Sequence, residues 1–275
     1  MREAEMWLSR MLVLDAAAGA RAAPPAIRGR ALYAAAMLAM HLGRYDRAMA
    51  LASEELALAQ RTGDQADISK ALVRLGAIAL ATGKEDQAAS YFTESYAAAN
   101  RAGGEDAQSL ALLNLGEIAR KRGDFARASA LLEEALATVR ANEMTWGIAN
   151  ILTMLGHLAR GQQEYARAKA RYRESLAIYQ RLGNATYTAW CLEGIAAVAG
   201  AEQRYAHATR LYAAAAALRQ AAQTPLPPTE QEEVDKVVMT ARAELDERSF
   251  SEEWRIGSTM AQDDVIADVL MGLAT

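Results

Sequence analysis

One cysteine, three histidines and five prolines in 275 residues rule out several common designs. Cys191 has no second thiol to pair with inside the chain, so a disulfide-stapled scaffold is excluded. Its position on an apolar helix side makes it a small buried thiol in a reducing, cytoplasmic setting. His41, His157 and His207 fall at unrelated points of the pattern described below, which argues against a shared metal ion. Aromatic residues make up 6% of the chain, and this scarcity together with that of proline favours helix over strand. No apolar run approaches the ~20 residues that span a bilayer. Met11 to Leu14, followed at once by Asp15, is too short for the apolar core of a signal peptide. No G-x-x-x-x-G-K-S/T segment occurs, so no nucleotide or other cofactor is assigned.

Charge of one sign is also scarce, with 30 basic and 34 acidic side chains and a net charge of −4. Residues 225–275 hold 4 basic and 12 acidic side chains, leaving the preceding chain mildly basic. Phosphate binding needs a concentrated positive stripe, so nucleic acid is disfavoured as a partner. The neighbouring carboxylates Glu54-Glu55, Glu133-Glu134 and Asp263-Asp264 point apart on a helix and read as solvated faces rather than catalytic pairs. Nothing in the sequence argues for an enzyme.

What the chain has in abundance is alanine in a forty-residue rhythm. From Ala107 to Met144, apolar residues recur at three-and-four spacing on both sides of Gly123, giving two amphipathic helices joined by a turn. The same pattern returns from Ile27, Asp67, Ala107, Gly147 and Tyr187. Its columns are Leu32, Leu72, Leu112, Leu152, Leu192; Ala36, Gly76, Gly116, Gly156, Ala196; Ala39, Ala79, Ala119, Ala159, Ala199; and Ala48, Ala88, Ala128, Ala168, Ala208. Columns confined to Gly and Ala require closely approaching helices, and hairpins that cannot bury their own apolar faces must stack. Five repeats are therefore expected at 27–66, 67–106, 107–146, 147–186 and 187–224, within a region 24–224. Gly43, Gly83 and Gly123 suit the left-handed residue that ends a helix, and Gly63, Gly103 and Gly183 mark joints between repeats. Gln163 and Gln203 stand where the fourth and fifth repeats lack that glycine, so there the turn is either built differently or strained. Tyr45, Phe125, Tyr165 and Tyr205 open second helices and read as structural seals.

Residues 1–23 hold one amphipathic helix with Trp7, Leu8, Met11, Leu12 and Leu14, either half of a preceding repeat or a cap. Residues 225–275 follow a Pro225-Leu226-Pro227-Pro228 connector and carry capping helices. Thr229 with Glu232 is expected to start the first of them, Phe250 and Trp254 share a face, and Thr259 with Gln262 starts the last.

Leu72, Leu75-Gly76, Ala79, Ala88, Phe92, with the matching sets ending in Leu132 and Tyr172, resemble the tetratricopeptide-repeat signature. The forty-residue period exceeds the usual length and the closing proline is absent, so second helices are expected to run about a turn longer. Tyr212, Pro227-Pro228, Phe250, Trp254-Arg255-Ile256-Gly257, Met260 and Leu270 resemble the C-terminal region of LuxR-type, MalT-like ATP-dependent transcriptional regulators. Arg28 to Asp64 resembles the opening repeats of that region. These resemblances imply an all-α fold: a right-handed superhelical solenoid of tetratricopeptide-like hairpins with a C-terminal helical cap. They also imply a non-catalytic sensor module, in which a protein, a peptide or a small inducer enters a concave groove lined by first helices. The parent would be a larger transcriptional regulator or STAND-type signalling ATPase. An autonomous scaffold or a peptide-pheromone receptor is the alternative. Carried onto this chain, the groove positions are Arg30, Lys70, Arg74, Asn114, Glu117, Arg120, Asn150, His157, Arg160, Trp190 and Glu193. Asn114 resembles one element of the carboxylate clamp of chaperone adaptors, but Val73 and Ala77 stand where that clamp is polar.

Overall fold

A computed structural model describes residues 23–226 and 228–271, together with residues 7, 10–12, 14, 15 and 17. Among the described residues there is no strand. Ten helices form five hairpins: α1 (Pro25–His41) with α2 (Tyr45–Thr62), α3 (Gln65–Ala81) with α4 (Glu85–Ala102), α5 (Glu105–Lys121) with α6 (Phe125–Ala141), α7 (Thr145–Gly161) with α8 (Tyr165–Arg181), and α9 (Ala185–Ala201) with α10 (Tyr205–Ala222). Three more follow: α11 (Pro228–Glu244), α12 (Glu247–Thr259) and α13 (Gln262–Met271). The chain divides into two compact units within α6, residues 1–139 and 140–275. The two helices of each hairpin pack on one another, and first helices also touch the next first helix, as α3 does α5 and α7 does α9.

The turns repeat every twenty residues. Gly43, Gly63, Gly83, Gly103, Gly123 and Gly183 all take positive φ, and Glu143, Gln163, Gln203 and Gln223 take the same left-handed conformation between φ 54° and 61°. The residue after each of the first-helix turns donates its N–H to the alanine five positions back: Arg44 to Ala39, Lys84 to Ala79, Asp124 to Ala119, Glu164 to Ala159 and Arg204 to Ala199, at 2.8–2.9 Å. That bond satisfies a carbonyl the helix end would leave open. Gln163 and Gln203 thus keep the same turn and accept its strain rather than building another. Helices of one hairpin are nearly equal, at 17 residues for first helices and 17 or 18 for second. The forty-residue period is thus shared almost evenly between first and second helices. Asp64 caps α3 by accepting from Ala66 and Asp67 N–H, and Asn184 and Asp246 do the same for α9 and α12.

The glycine column explains how hairpins close. A Cβ placed on Gly76 would lie 2.6 Å from Phe92 Cε1, on Gly116 2.8 Å from Leu132 Cγ, and on Gly156 2.6 Å from Tyr172 Cε1. Each large residue enters a notch that glycine leaves in the facing helix, and Phe92, Leu132 and Tyr172 are fully buried there. Where the column holds Ala36, the matching position is the small Ala52, and both are buried. In the N-terminal stretch the described residues are helical, and Leu12 joins the core of the first hairpin with Leu32, Ala36 and Leu51. The remainder of that expected helix, and the Thr229 side chain proposed to start α11, lie outside the described residues.

C-terminal to the hairpins, α12 packs on α10 so closely that a Cβ on Gly257 would collide with the Arg210 carbonyl oxygen. Phe250 and Trp254 stack with ring centroids 5.9 Å apart. The last helix, α13, lies against α8 and α10 and buries Val265, Ile266 and Val269. Together these helices cover the final hairpin.

Gly116→Leu is expected to destabilise the protein by about 1–3 kcal/mol, with partial recovery in Gly116→Leu/Leu132→Ala, read from urea unfolding. Replacing Gln163 or Gln203 by glycine relieves the left-handed strain and is expected to raise stability by up to about 1 kcal/mol.

Candidate functional site

Each unit has its own first-helix face, built by α1, α3 and α5 in the first and by α7 and α9 in the second. In the first unit it opens into a pocket of about 780 Å³ between α1, the C-terminal half of α2 and α3. Its origin is a break in the repeat. In the second hairpin Ser69 and Ser95 face each other, fully buried, and each hydroxyl donates to the other's backbone carbonyl, at 3.0 and 2.9 Å. Forty residues earlier those two positions hold Gly29 and Glu55. Gly29 removes a side chain from α1, and Glu55 puts a carboxylate where the repeat otherwise places Ser or Ala.

Glu55 is 7% exposed and therefore does not lie on a solvated face, as its pairing with Glu54 in sequence suggested. Local helix geometry sends the two carboxylates apart, and the next hairpin covers one of them. Arg74 holds it in a two-pronged pair, donating from Nε to Oε2 at 2.8 Å and from Nη2 to Oε1. Burial raises the Glu55 carboxyl above its ordinary range and outweighs the opposing effect of Arg74. The Arg74 guanidinium also lies 4.6 Å above the Tyr33 ring, which is 45% exposed. Arg30 is exposed at the rim and has no ion pair among the described residues, while Lys70 stands 3.6 Å from Asp67. Leu58, Ala59, Pro24 and Pro25 supply apolar wall. The pocket thus joins an apolar wall, an aromatic ring, fixed charge of both signs and one uncommitted cation.

Further along this unit, Asn114 donates Nδ2–H to the Leu110 carbonyl of its own helix at 2.7 Å. Arg120 donates to Glu117 at 2.7 and 2.8 Å, so these two groove positions hold one another.

The second unit differs in chemistry. Trp146, Tyr187, Trp190 and His157 form a chain of ring contacts with centroids 5.2–5.9 Å apart, which continues from His157 to Tyr172 at 5.4 Å. Tyr179 stacks under Tyr187 at 4.9 Å. His157 Nδ1 and the Tyr172 hydroxyl are hydrogen-bonded at 2.8 Å. Offset and edge-on ring contacts of this kind add to simple burial. Asn150 is buried, and Arg160 reaches Glu233 of α11 at 3.8 Å. Glu193 is buried against Arg219, with bonds of 2.5 and 2.7 Å, and burial raises its carboxyl.

The groove positions expected from the sequence therefore fall into separate sets. Arg30, Lys70 and Arg74 line one pocket; Glu117 and Arg120 pair; His157 and Trp190 touch. Tyr33 and Glu55, with Trp146, Tyr172, Tyr179 and Tyr187, are the members sequence reasoning missed. The readable signal was the column Glu55, Ser95, Ala135, Ser175, Ala215, in which one charged residue stands among small ones.

The three histidines lie apart in function. His41 Nδ1 contacts the Met37 carbonyl oxygen, His157 bonds Tyr172, and His207 is held down to about 4 by burial, with Arg204 next in effect. Among the described residues no His, Cys, Asp and Glu cluster is arranged to hold a metal. Cys191 is buried, contacts Ser175 Oγ at 3.5 Å, and is pushed up to about 11 by burial, which keeps it an unreactive thiol. Among the described residues no helix is long and apolar enough to cross a membrane.

Comparison with known proteins agrees with this architecture. Residues 67–141 and 148–182 match models of the tetratricopeptide repeat. Those two stretches therefore carry tetratricopeptide repeats within an all-helical solenoid. Its fold is similar to that of BtubC (BKLC) from P. vanneervenii, with a TM-score of 0.65 and 22% identity over 82% of this chain and 93% of that one. A Rap protein complexed with competence and sporulation factor superimposes with a TM-score of 0.63 and 12% identity, covering 89% of this chain and 74% of that one. A Podospora anserina protein of kinesin-light-chain type with nearly identical TPR-like repeats gives 0.55 and 14%, covering 72% and 97%. A search of curated protein sequences finds no match.

Arg74→Met strands the buried Glu55 carboxylate and is expected to destabilise the protein by roughly 3–5 kcal/mol at neutral pH. Adding Glu55→Ser, the residue of two other repeats, is expected to restore most of it. Urea unfolding of the single and double variants measures both effects.

Proposed function

We propose that this chain is a non-catalytic recognition module that binds an extended peptide or protein segment along the first-helix face of its first unit, with the pocket around Tyr33 and Arg74 as the anchoring point. One observation carries the reading: the repeat departs from its own small-residue pattern at Gly29 and Glu55, and the departure opens the pocket. Stability alone has no need for a buried carboxylate where Ser or Ala packs in the other repeats. The Rap protein likeness supports a peptide as occupant, since that structure is of a complex with competence and sporulation factor. Arg30 and Lys70 give an acidic group of such a segment its contact, while Tyr33 and Leu58 hold an apolar side chain.

The setting we propose is the cytoplasm, where Cys191 remains reduced. The parent we propose is a larger bacterial regulator of the LuxR-type, MalT-like kind, supported by the residues of α11–α13 that resemble it, among them Phe250, Trp254 and Gly257. In such a protein, binding shifts a switch only if the occupant favours one of its two states.

Peptides selected from a random display library on the full chain are expected to lose at least tenfold in affinity to Arg30→Ala and Tyr33→Ala, with helicity unchanged. Binding unaffected by both substitutions overturns the pocket as the anchoring point.

A further inference from the structure

The first-helix face of the second unit is already covered by a helix of the same chain. Helix α11 crosses α9 at Gly200, where an added Cβ would lie 2.7 Å from Val237 Cγ1. The equivalent positions of the other four repeats hold Met40, Leu80, Arg120 and Arg160. The face is thus cleared for a crossing helix at Gly200 and at none of its counterparts. Opposite charges meet across the contact. Glu233 lies 3.8 Å from Arg160, and the charge of Glu230 acts on Arg219.

The docking is specific but shallow. Of the α11 side chains described, Ala241 alone is buried, Val234, Val237 and Val238 are half-buried, and Met239 is 71% exposed. Its neighbour α12 is held to α10 independently, by the Gly257 contact with the Arg210 backbone and by the Arg210–Glu253 bond of 2.8 Å. Release of α11 therefore leaves the last hairpin capped. The segment before it, residues 224–226, has no regular structure, and Leu245 and Asp246 separate it from α12.

We propose that α11 is a displaceable resident of this face, and that the face takes an acidic amphipathic helix from a partner protein in its place. The resident shows what fits. A partner helix would present a β-branched or other compact apolar residue to Gly200, and carboxylates about one and two turns before it to Arg160 and Arg219 respectively. This deepens the partner-binding reading above and rests on it. Because α11 competes for the face from within the chain, a partner must outbind a tethered segment at high effective concentration. Loosening α11 raises apparent affinity without touching the face.

Two measurements on the full chain test this. In hydrogen–deuterium exchange, α11 amides are expected to exchange at least 100-fold faster than those of α9 and α10 while α12 stays protected; equal protection of α11 and α10 overturns the proposal. In fluorescence anisotropy, a labelled peptide of residues 228–244 is expected to bind Val237→Asp at least tenfold more tightly than the wild type. Adding Arg160→Glu to that variant is expected to abolish binding. Equal binding to wild type and Val237→Asp, with circular dichroism unchanged, overturns it. If Val237→Asp does not fold, Glu233→Lys is used as the releasing substitution, with the same two outcomes. Arg30→Ala and Tyr33→Ala lie in the other unit and leave both readouts unmoved, so failure here is distinct from failure of the pocket.

Discussion

Closure of the three central hairpins depends on their two helices being able to approach at one point. Glycine at 76, 116 and 156 provides that point, and Phe92, Leu132 or Tyr172 fills it. Interiors at crystal-like density convert a missing methyl group on one helix into a socket for the next. Once the socket is occupied, the crossing of the pair is set, and with it the surface each first helix turns outward. The pocket and the aromatic chain are consequences of that orientation rather than separate inventions.

Against this regular background the irregular residues acquire meaning. Gly29 and Glu55 interrupt the pairing that Ser69 and Ser95 make one repeat later, and Gly200 replaces a large side chain on α9. In both cases a residue gives up packing that its counterparts keep. Buried charge is a poor source of stability, so the Glu55–Arg74 pair is better understood as fixing a geometry. Gly200 has a simpler cause, because Val237 stands where a side chain would be.

Much of the fold was legible in the sequence because its information is one-dimensional: columns forty residues apart name the small residues, the apolar residues and the turns. The site was less legible. Glu54 and Glu55 look alike in sequence, and which of them is covered depends on where α3 lies. Trp146 and Tyr187 are forty-one positions apart and so belong to no shared column, yet their rings meet at 5.9 Å. The docking of α11 had no periodic signature at all, since a helix that crosses a repeat array obeys none of the array's spacing.

The left-handed residue at every twentieth position, from Gly43 to Gln223, makes the chain's length a quantised variable. Inserting one residue inside a helix rotates everything beyond it by about 100° and turns sockets away from the side chains that fill them. Inserting or excising a whole forty-residue hairpin shifts no face. Growth of such a chain proceeds by duplication in whole units, and its recognition surface lengthens or shortens in the same steps.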